Sequence, residues 1–476
     1  MLLAMAPPAH IATVVLADLR KTVSLASPQI SPDGRSIAVL VRRSDYDKDK
    51  VVTDLVLVDV ATHRARTLLH DATGLDNVEW SPDGSRLAYT ANKQVYVLPM
   101  NGGEPVQITH VKTSVEALDW RPDGSSIAFT ADVEPANEAR IKRHADEFNV
   151  DDNPWTDQEA PSDVALYETN ASGGTARRIG SGWSVGGGFT YARDGKSIFV
   201  TRITDHKSPN RYLSREIVRI DLRSGRTVSL RRLSVMQTDP LRGPAGQIAF
   251  AVANPAGTMQ TEMALSNASG ANAHMITQHL DRNANGAAFM PDGSLLIAAN
   301  DETGRRIFRV TPGGAVSHLP LGSLVPSYDV SVSRTGTVAF IASTPDHPTE
   351  LYALRAGSPA PVRLTDYNRW IERFTLGISH AITWRTRDGL VADGVVTTPP
   401  GWHGQRTPLV LYIHGGPTSS STVGYSGFVQ VLTAHGWMVF QPNYRGSDNL
   451  GNAYMTAIVR NTVAGPSADI LAGLAA

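Results

Sequence analysis

The residues best suited to chemistry lie close to the C-terminal end. The apolar run Leu409–Ile413 leads straight into His414-Gly415-Gly416-Pro417. A short hydrophobic strand that opens into a glycine pair presents backbone N–H groups where no Cβ blocks an approaching oxygen. Such a turn serves acyl transfer, in which negative charge develops on a carbonyl oxygen. That chemistry also needs an attacking serine, an acid and a histidine, which follow the turn in that order along the chain. No Gly-x-Ser-x-Gly follows His414, and the last histidine, His435, precedes Gly436 at the end of a helical pattern and reads as structural. One segment does match that spacing, Gly182-Trp183-Ser184-Val185-Gly186. A nucleophile of this type needs a buried strand before it and a helix after it. Here Gly187-Gly188-Phe189-Thr190-Tyr191 runs into the turn Asp194-Gly195, so Ser184 is not expected to be catalytic.

Other chemistries find less support. The 476 residues contain no cysteine, which excludes thiol catalysis, disulfides and zinc–thiolate sites. The fourteen histidines form no metal-ligating spacing; His274 and His279 stand five apart on a hairpin exit. No phosphate-cradling glycine motif follows a strand, so no cofactor and no metal are expected. A net charge of −1 gives no electrostatic case for a nucleic-acid partner. No stretch approaches the roughly 20 apolar residues of a membrane span. Met1-Leu2-Leu3-Ala4-Met5-Ala6-Pro7-Pro8-Ala9 resembles the tail of an export signal without its basic opening, leaving a periplasmic and a cytoplasmic location both open.

The elements that must position the turn are announced by a repeat. Ser31-Pro32-Asp33-Gly34, Ser81-Pro82-Asp83-Gly84 and Arg121-Pro122-Asp123-Gly124 each precede a β-rich run. Weaker copies end at Gly195, Gly246, Gly293 and Gly336. Proline presets φ, aspartate bonds to nearby backbone and glycine accepts positive φ, so each copy joins two antiparallel strands. A second hairpin follows the copies, as in Leu55–Leu69, Val95–Thr109, Ile217–Leu230, Ile307–Leu319 and Leu351–Thr365. Two hairpins make a four-stranded sheet that cannot bury both faces alone; seven of them predict a mainly β chain built on a seven-bladed β-propeller. An acidic insertion, 133–163, and an arginine-rich stretch from Arg215 to Arg232 read as solvated surface.

Beyond Thr365 the pattern changes to strands alternating with helices, which predicts a parallel α/β sheet. Leu409–Ile413 and Trp437–Gln441 read as buried strands, Val429–Ala434 as a helix, and Ser467 as the start of another.

Seven repeats, then Pro408-Leu409-Val410-Leu411-Tyr412-Ile413-His414-Gly415-Gly416-Pro417, then Gln441-Pro442-Asn443-Tyr444-Arg445-Gly446-Ser447, resemble the prolyl oligopeptidase family of serine peptidases, and most closely its bacterial dipeptidyl-peptidase and acylaminoacyl-peptidase branch. The resemblance implies a propeller at 25–366 that screens an α/β-hydrolase domain at 367–476, with 1–24 as a lead-in. It implies hydrolysis of short peptides through an acyl-enzyme. It makes the Gly416 N–H the oxyanion donor, worth about 3–4 kcal/mol in the transition state, with His414 and Gly415 shaping the turn and Tyr444 and Arg445 beside the pocket. The nucleophile, acid and histidine are expected beyond Ala476, so the chain is expected to be inactive alone and to have only the N-terminal part of the hydrolase domain. A complementary C-terminal fragment is then an expected partner besides peptides. The alternative is a non-catalytic propeller that binds peptides or a protein partner.

Overall fold

The computed structural model describes residues 12–134, 138–144, 163–203, 215–230, 237–253, 260–416 and 418–476. The leader Met1–Ala9, most of the acidic insertion, Arg231, Arg232 and Pro417 lie outside the described residues.

Among the described residues there are eight four-stranded sheets, and seven of them are antiparallel meanders whose strands neighbour one another in chain order. They span residues 23–69, 76–107, 115–179, 184–229, 237–275, 286–318 and 325–363. The repeat turns behave as their chemistry requires. Gly34, Gly84, Gly124, Gly195, Gly246, Gly293 and Gly336 all take φ between +66° and +88°, a region that costs glycine little. Asp33 accepts the Arg35 N–H at 3.1 Å, and Asp83 and Asp123 repeat the bond with Ser85 and Ser125.

The second strand of each sheet is apolar on both faces, and this builds the ring. In the first sheet Ala38 and Leu40 face Val78 and Leu87 of the second, while Ile37, Val39 and Val41 face Ala339, Ile341 and Leu351 of the seventh. Similar clusters join each sheet to the next. The arrangement is a β-propeller. Its closure shares no strand between the first and last sheets. It relies on that apolar cluster, on Ile30 N–H to Ser331 Oγ (3.1 Å), and on the Asn368 amide, which accepts from Val23 N–H and donates to Val23 O, both at 2.9 Å.

The eighth sheet orders Ile378–Arg385, Val391–Thr398, Met438–Asn443 and Leu409–Leu411, with only the last pair parallel. The helices Gly427–Ala434 and Ala464–Ala475 contact it. Trp384, Phe440 and Tyr454 form its small core. The segment after Ala12 belongs to this region: Val14 and Leu19 pack with Ile371 and Val431, and Thr375 N–H bonds to Ala12 O at 3.0 Å. A contact made across the whole chain length leaves no trace in local sequence pattern.

One expectation is corrected. Leu409–Ile413 was expected to be a fully buried strand, yet only Leu409–Leu411 is strand, and Leu409, Leu411, Tyr412 and Ile413 are 37–46% exposed. The strand lies at the sheet edge with a neighbour on one side only, so its continuous apolar run is not matched by burial among the described residues.

Candidate active site

The His414 turn sits at the C-terminal end of this edge strand, where a parallel sheet leaves room for a ligand. Tyr412 N–H still bonds to Phe440 O at 2.8 Å, and the backbone then leaves the sheet. Gly416 takes φ +130°, and a Cβ there would come within 2.8 Å of the Thr418 nitrogen. Glycine is therefore required by conformation and by space. Gly415 and Gly416 are exposed, and the Gly416 N–H has no partner among the described residues.

The segment after Met438–Asn443 supports the turn from behind. The Tyr444 ring stacks on the His414 imidazole with centroids 4.7 Å apart and planes 14° from parallel. Tyr444 Oη donates to His414 O at 2.9 Å. His414 Nε2 lies 3.0 Å from Ser447 Oγ, which itself donates to Tyr444 O at 2.7 Å. Burial pushes the His414 pKa below its ordinary value, against the smaller opposing effects of Gly415 O and Asp448. The far side of the turn is held by Asn443, whose Oδ1 accepts Ser421 N–H at 2.6 Å and whose Nδ2 donates to Asp393 Oδ1 at 2.8 Å. Burial raises the pKa of Asp393, which is 2% exposed, and its Oδ2 has no partner among the described residues.

His414, Gly415, Gly416 and Tyr444 thus come together. Arg445 points elsewhere. Its guanidinium pairs with Asp469 on the last helix through Nε and Nη2 (2.8 and 2.7 Å) and with Asp388 on the hairpin turn through Nη1 and Nη2 (2.8 and 2.9 Å). These two carboxylates raise the Arg445 pKa, and the side chain is 8% exposed. It ties the helix to the sheet and leaves little donor capacity for a ligand.

The same region docks on the propeller. Val423 N–H bonds to Thr303 O at 2.8 Å, Glu302 N–H to Asn449 O at 3.0 Å, and Asn449 Nδ2 to Glu302 O at 2.9 Å. Asp448, 3% exposed, receives amide protons from Asn300 at 2.7 Å and from Asn283 and Asn285 at 3.4 Å each.

The chain is similar to known proteins over most of its length. The family described as the dipeptidyl peptidase IV (DPP IV) N-terminal region matches residues 31–143. The uncharacterized peptidase YuxL of Bacillus subtilis is 24% identical, over 93% of this chain and 72% of its own length. The acylaminoacyl peptidase of Pyrococcus horikoshii superposes with a TM-score of 0.78 at 17% identity, covering 96% of this chain and 71% of that structure. A puromycin-hydrolyzing peptidase of Mycobacterium tuberculosis gives 0.74 at 16%, covering 99% and 74%. These likenesses place the fold of the chain among that of acylaminoacyl and puromycin-hydrolyzing peptidases.

Other sequence-derived candidates take structural places in the chain. Ser184 opens the strand Ser184–Tyr191, is 4% exposed, and accepts Val164 N–H at 2.9 Å. His435 caps the helix Gly427–Ala434 and lies against Trp437. His274 faces the carbonyls of Asn272 and Pro312. Sequence reading passed over His347, Glu350 and Asp366, whose ligand atoms lie within 4.8 Å of one another. The place a cation would take is already faced by Arg363, 3.1 Å from Asp366 and 3.4 Å from His347. Both Glu350 oxygens accept, from Thr365 Oγ1 and from Asn368 N–H. Asp393, Asp448 and Asp469 were also missed, because their partners lie 24 to 165 residues away along the chain.

Proposed function

We propose that this chain supplies the substrate screen and the oxyanion side of a serine peptidase that hydrolyses short peptides through an acyl-enzyme. In this reading the seven meander sheets are a complete seven-bladed propeller spanning 25–366, and 367–476 is the first part of an α/β-hydrolase domain. The names of its relatives favour acylaminoacyl, dipeptidyl or aminoacyl-amide substrates.

The observation that carries the reading is the exposed N–H of Gly416, unpartnered among the described residues, at φ +130° beside the His414–Tyr444–Ser447 assembly. When a peptide carbonyl is attacked, charge moves to its oxygen. A donor already in place stabilises that charge without reorganisation. Tyr444 and Ser447 hold the turn, Asn443 anchors its far side, and Arg445 keeps the last helix on the sheet.

Among the described residues no serine is placed as nucleophile, and the edge strand and the helices leave Leu409, Tyr412, Ile413, Val463 and Leu471 exposed. Residues that pair with the Leu409–Leu411 edge and supply Ser, acid and His complete the proposal. The purified chain is expected to leave acyl-amino-acid and dipeptide reporters intact and to take up no fluorophosphonate. Co-expression with the C-terminal portion of a full-length relative is expected to restore both. Turnover by the isolated chain defeats this reading.

A further inference from the structure

Asp448 is a buried carboxylate without a cationic partner among the described residues. What it has is three asparagine amides from the propeller. Asn283 and Asn285 lie on the segment leading into the sixth sheet, and Asn300 is in its second strand. The nearest bond, Asn300 Nδ2 to Asp448 Oδ1 at 2.7 Å, is itself oriented from behind: the Asn300 Oδ1 accepts Arg305 Nε at 3.1 Å and Tyr328 Oη at 3.0 Å. Arg305 also lies 3.9 Å over the Tyr328 ring. The amide of Asn300 therefore cannot flip without losing two donors.

On its other side Asp448 belongs to the backbone that holds the glycine turn. Its N–H donates to Ser419 O at 3.3 Å, and its neighbour Ser447 meets His414. We propose that Asp448 is the positioning residue through which the propeller sets the geometry of the His414–Gly416 turn, with Asn300 as its principal grip. The catalytic meaning of this link rests on the oxyanion reading above. The mechanical link itself does not.

The bond has a polarity that gives a sharp test. Asp448→Asn sets amide donors against those of Asn283, Asn285 or Asn300. Asn300→Asp sets two carboxylates face to face. The double variant Asn300→Asp/Asp448→Asn restores one donor and one acceptor, and the carboxylate introduced in the sixth sheet still accepts from Arg305 and Tyr328.

Hydrogen exchange by mass spectrometry on the 476-residue chain reads the turn through the Tyr412 and Ser421 amides, which are bonded to Phe440 O and Asn443 Oδ1. Each single change is expected to speed exchange in peptides covering 409–426 about tenfold, which corresponds to about 1.4 kcal/mol, and the double to return it to within about twofold of wild type. Asn285→Ala, which loses one 3.4 Å bond at an exposed residue, is the gentle variant if either single change fails to fold. It is expected to speed the same peptides about twofold. Singles that loosen only 281–303 and 443–452, or a double no better than the singles, overturn the proposal. A failure of the oxyanion reading shows up separately, as full activity of a complemented Gly416→Ala enzyme, and leaves these exchange rates untouched.

Discussion

Arg445 and Asp469 meet through two parallel hydrogen bonds, Nε to Oδ2 at 2.8 Å and Nη2 to Oδ1 at 2.7 Å, and the Arg445 backbone N–H adds a third to Oδ2 at 3.0 Å. Asp469 is fully buried, while Asp388 on the other side of the guanidinium is about half exposed. The two partners are therefore unequal. Arg445→Ala strands a buried carboxylate and is expected to cost about 3–5 kcal/mol, seen as a lower urea midpoint. Arg445→Lys keeps the charge but not the fork and recovers only part of it. Asp388→Asn is expected to change the midpoint little, because that pair is screened by solvent. Equal losses at Asp388 and Asp469 contradict this ranking.

Tyr444 supports the turn in two separable ways, a stacked ring and a hydroxyl that donates to His414 O. Tyr444→Phe keeps the stack and loses one hydrogen bond, at an expected cost of about 1 kcal/mol. Tyr444→Ala removes the 8%-exposed ring as well and is expected to cost about 3–5 kcal/mol. Urea unfolding of both variants gives the comparison; a phenylalanine variant as unstable as the alanine one places the support in the hydroxyl alone.

These two tests also mark how far the sequence could be read. The repeat was legible because its chemistry is local: Pro, Asp and Gly act within one turn, and the structure gives each of the seven turn glycines a positive φ. His414-Gly415-Gly416 was legible for the same reason. Arg445 was not, since nothing near it in the chain announces Asp388 or Asp469, 57 and 24 residues away. The burial of Leu409–Ile413 was misjudged because an apolar run reports what a strand is suited to, whereas exposure depends on which neighbours are present. The place of residues after Ala12 in the C-terminal core was invisible for the reason that hides all distant contacts.

His414 gives a pH signature. Its two ring nitrogens face Gly415 O and the Ser447 hydroxyl, and burial lowers its pKa from 6.5. In the unfolded chain the ring takes up a proton near pH 6.5, while in the folded chain it stays neutral to lower pH. Below that point the unfolded state holds more protons, so the contribution of His414 is fully present above about pH 6.5 and is lost as pH falls toward the folded-state pKa. Urea midpoints between pH 7.5 and 5.5, about one unit either side, are expected to fall more steeply for wild type than for His414→Gln. Parallel slopes show that the ring titrates normally in the fold.

Within the ring closure one side chain, Asn368, imitates a strand. Asn368 offers its Oδ1 to Val23 N–H and its Nδ2 to Val23 O and Thr349 O, while its own N–H is held by Glu350. Asn368 and Glu350 are fully buried. Asn368→Ala leaves the buried N–H and C=O of Val23 without these partners, and each such loss costs about 1–3 kcal/mol. Because no strand is shared between the first and seventh sheets, that cost falls on the seam between them and not on the sheets themselves. The apolar cluster of Val39, Val41, Ile341 and Leu351 remains and is expected to keep the ring folded. The expected result is local: faster hydrogen exchange in Val23–Ile30 and in 347–365, earlier proteolytic nicking near Val23, and unchanged exchange in the third and fourth sheets. Asn368→Asp tests the polarity, since a carboxylate keeps the bond to Val23 N–H but repels the Val23 carbonyl. Uniform loosening of all seven sheets in either variant shows that Asn368 supports the propeller as a whole and is no latch.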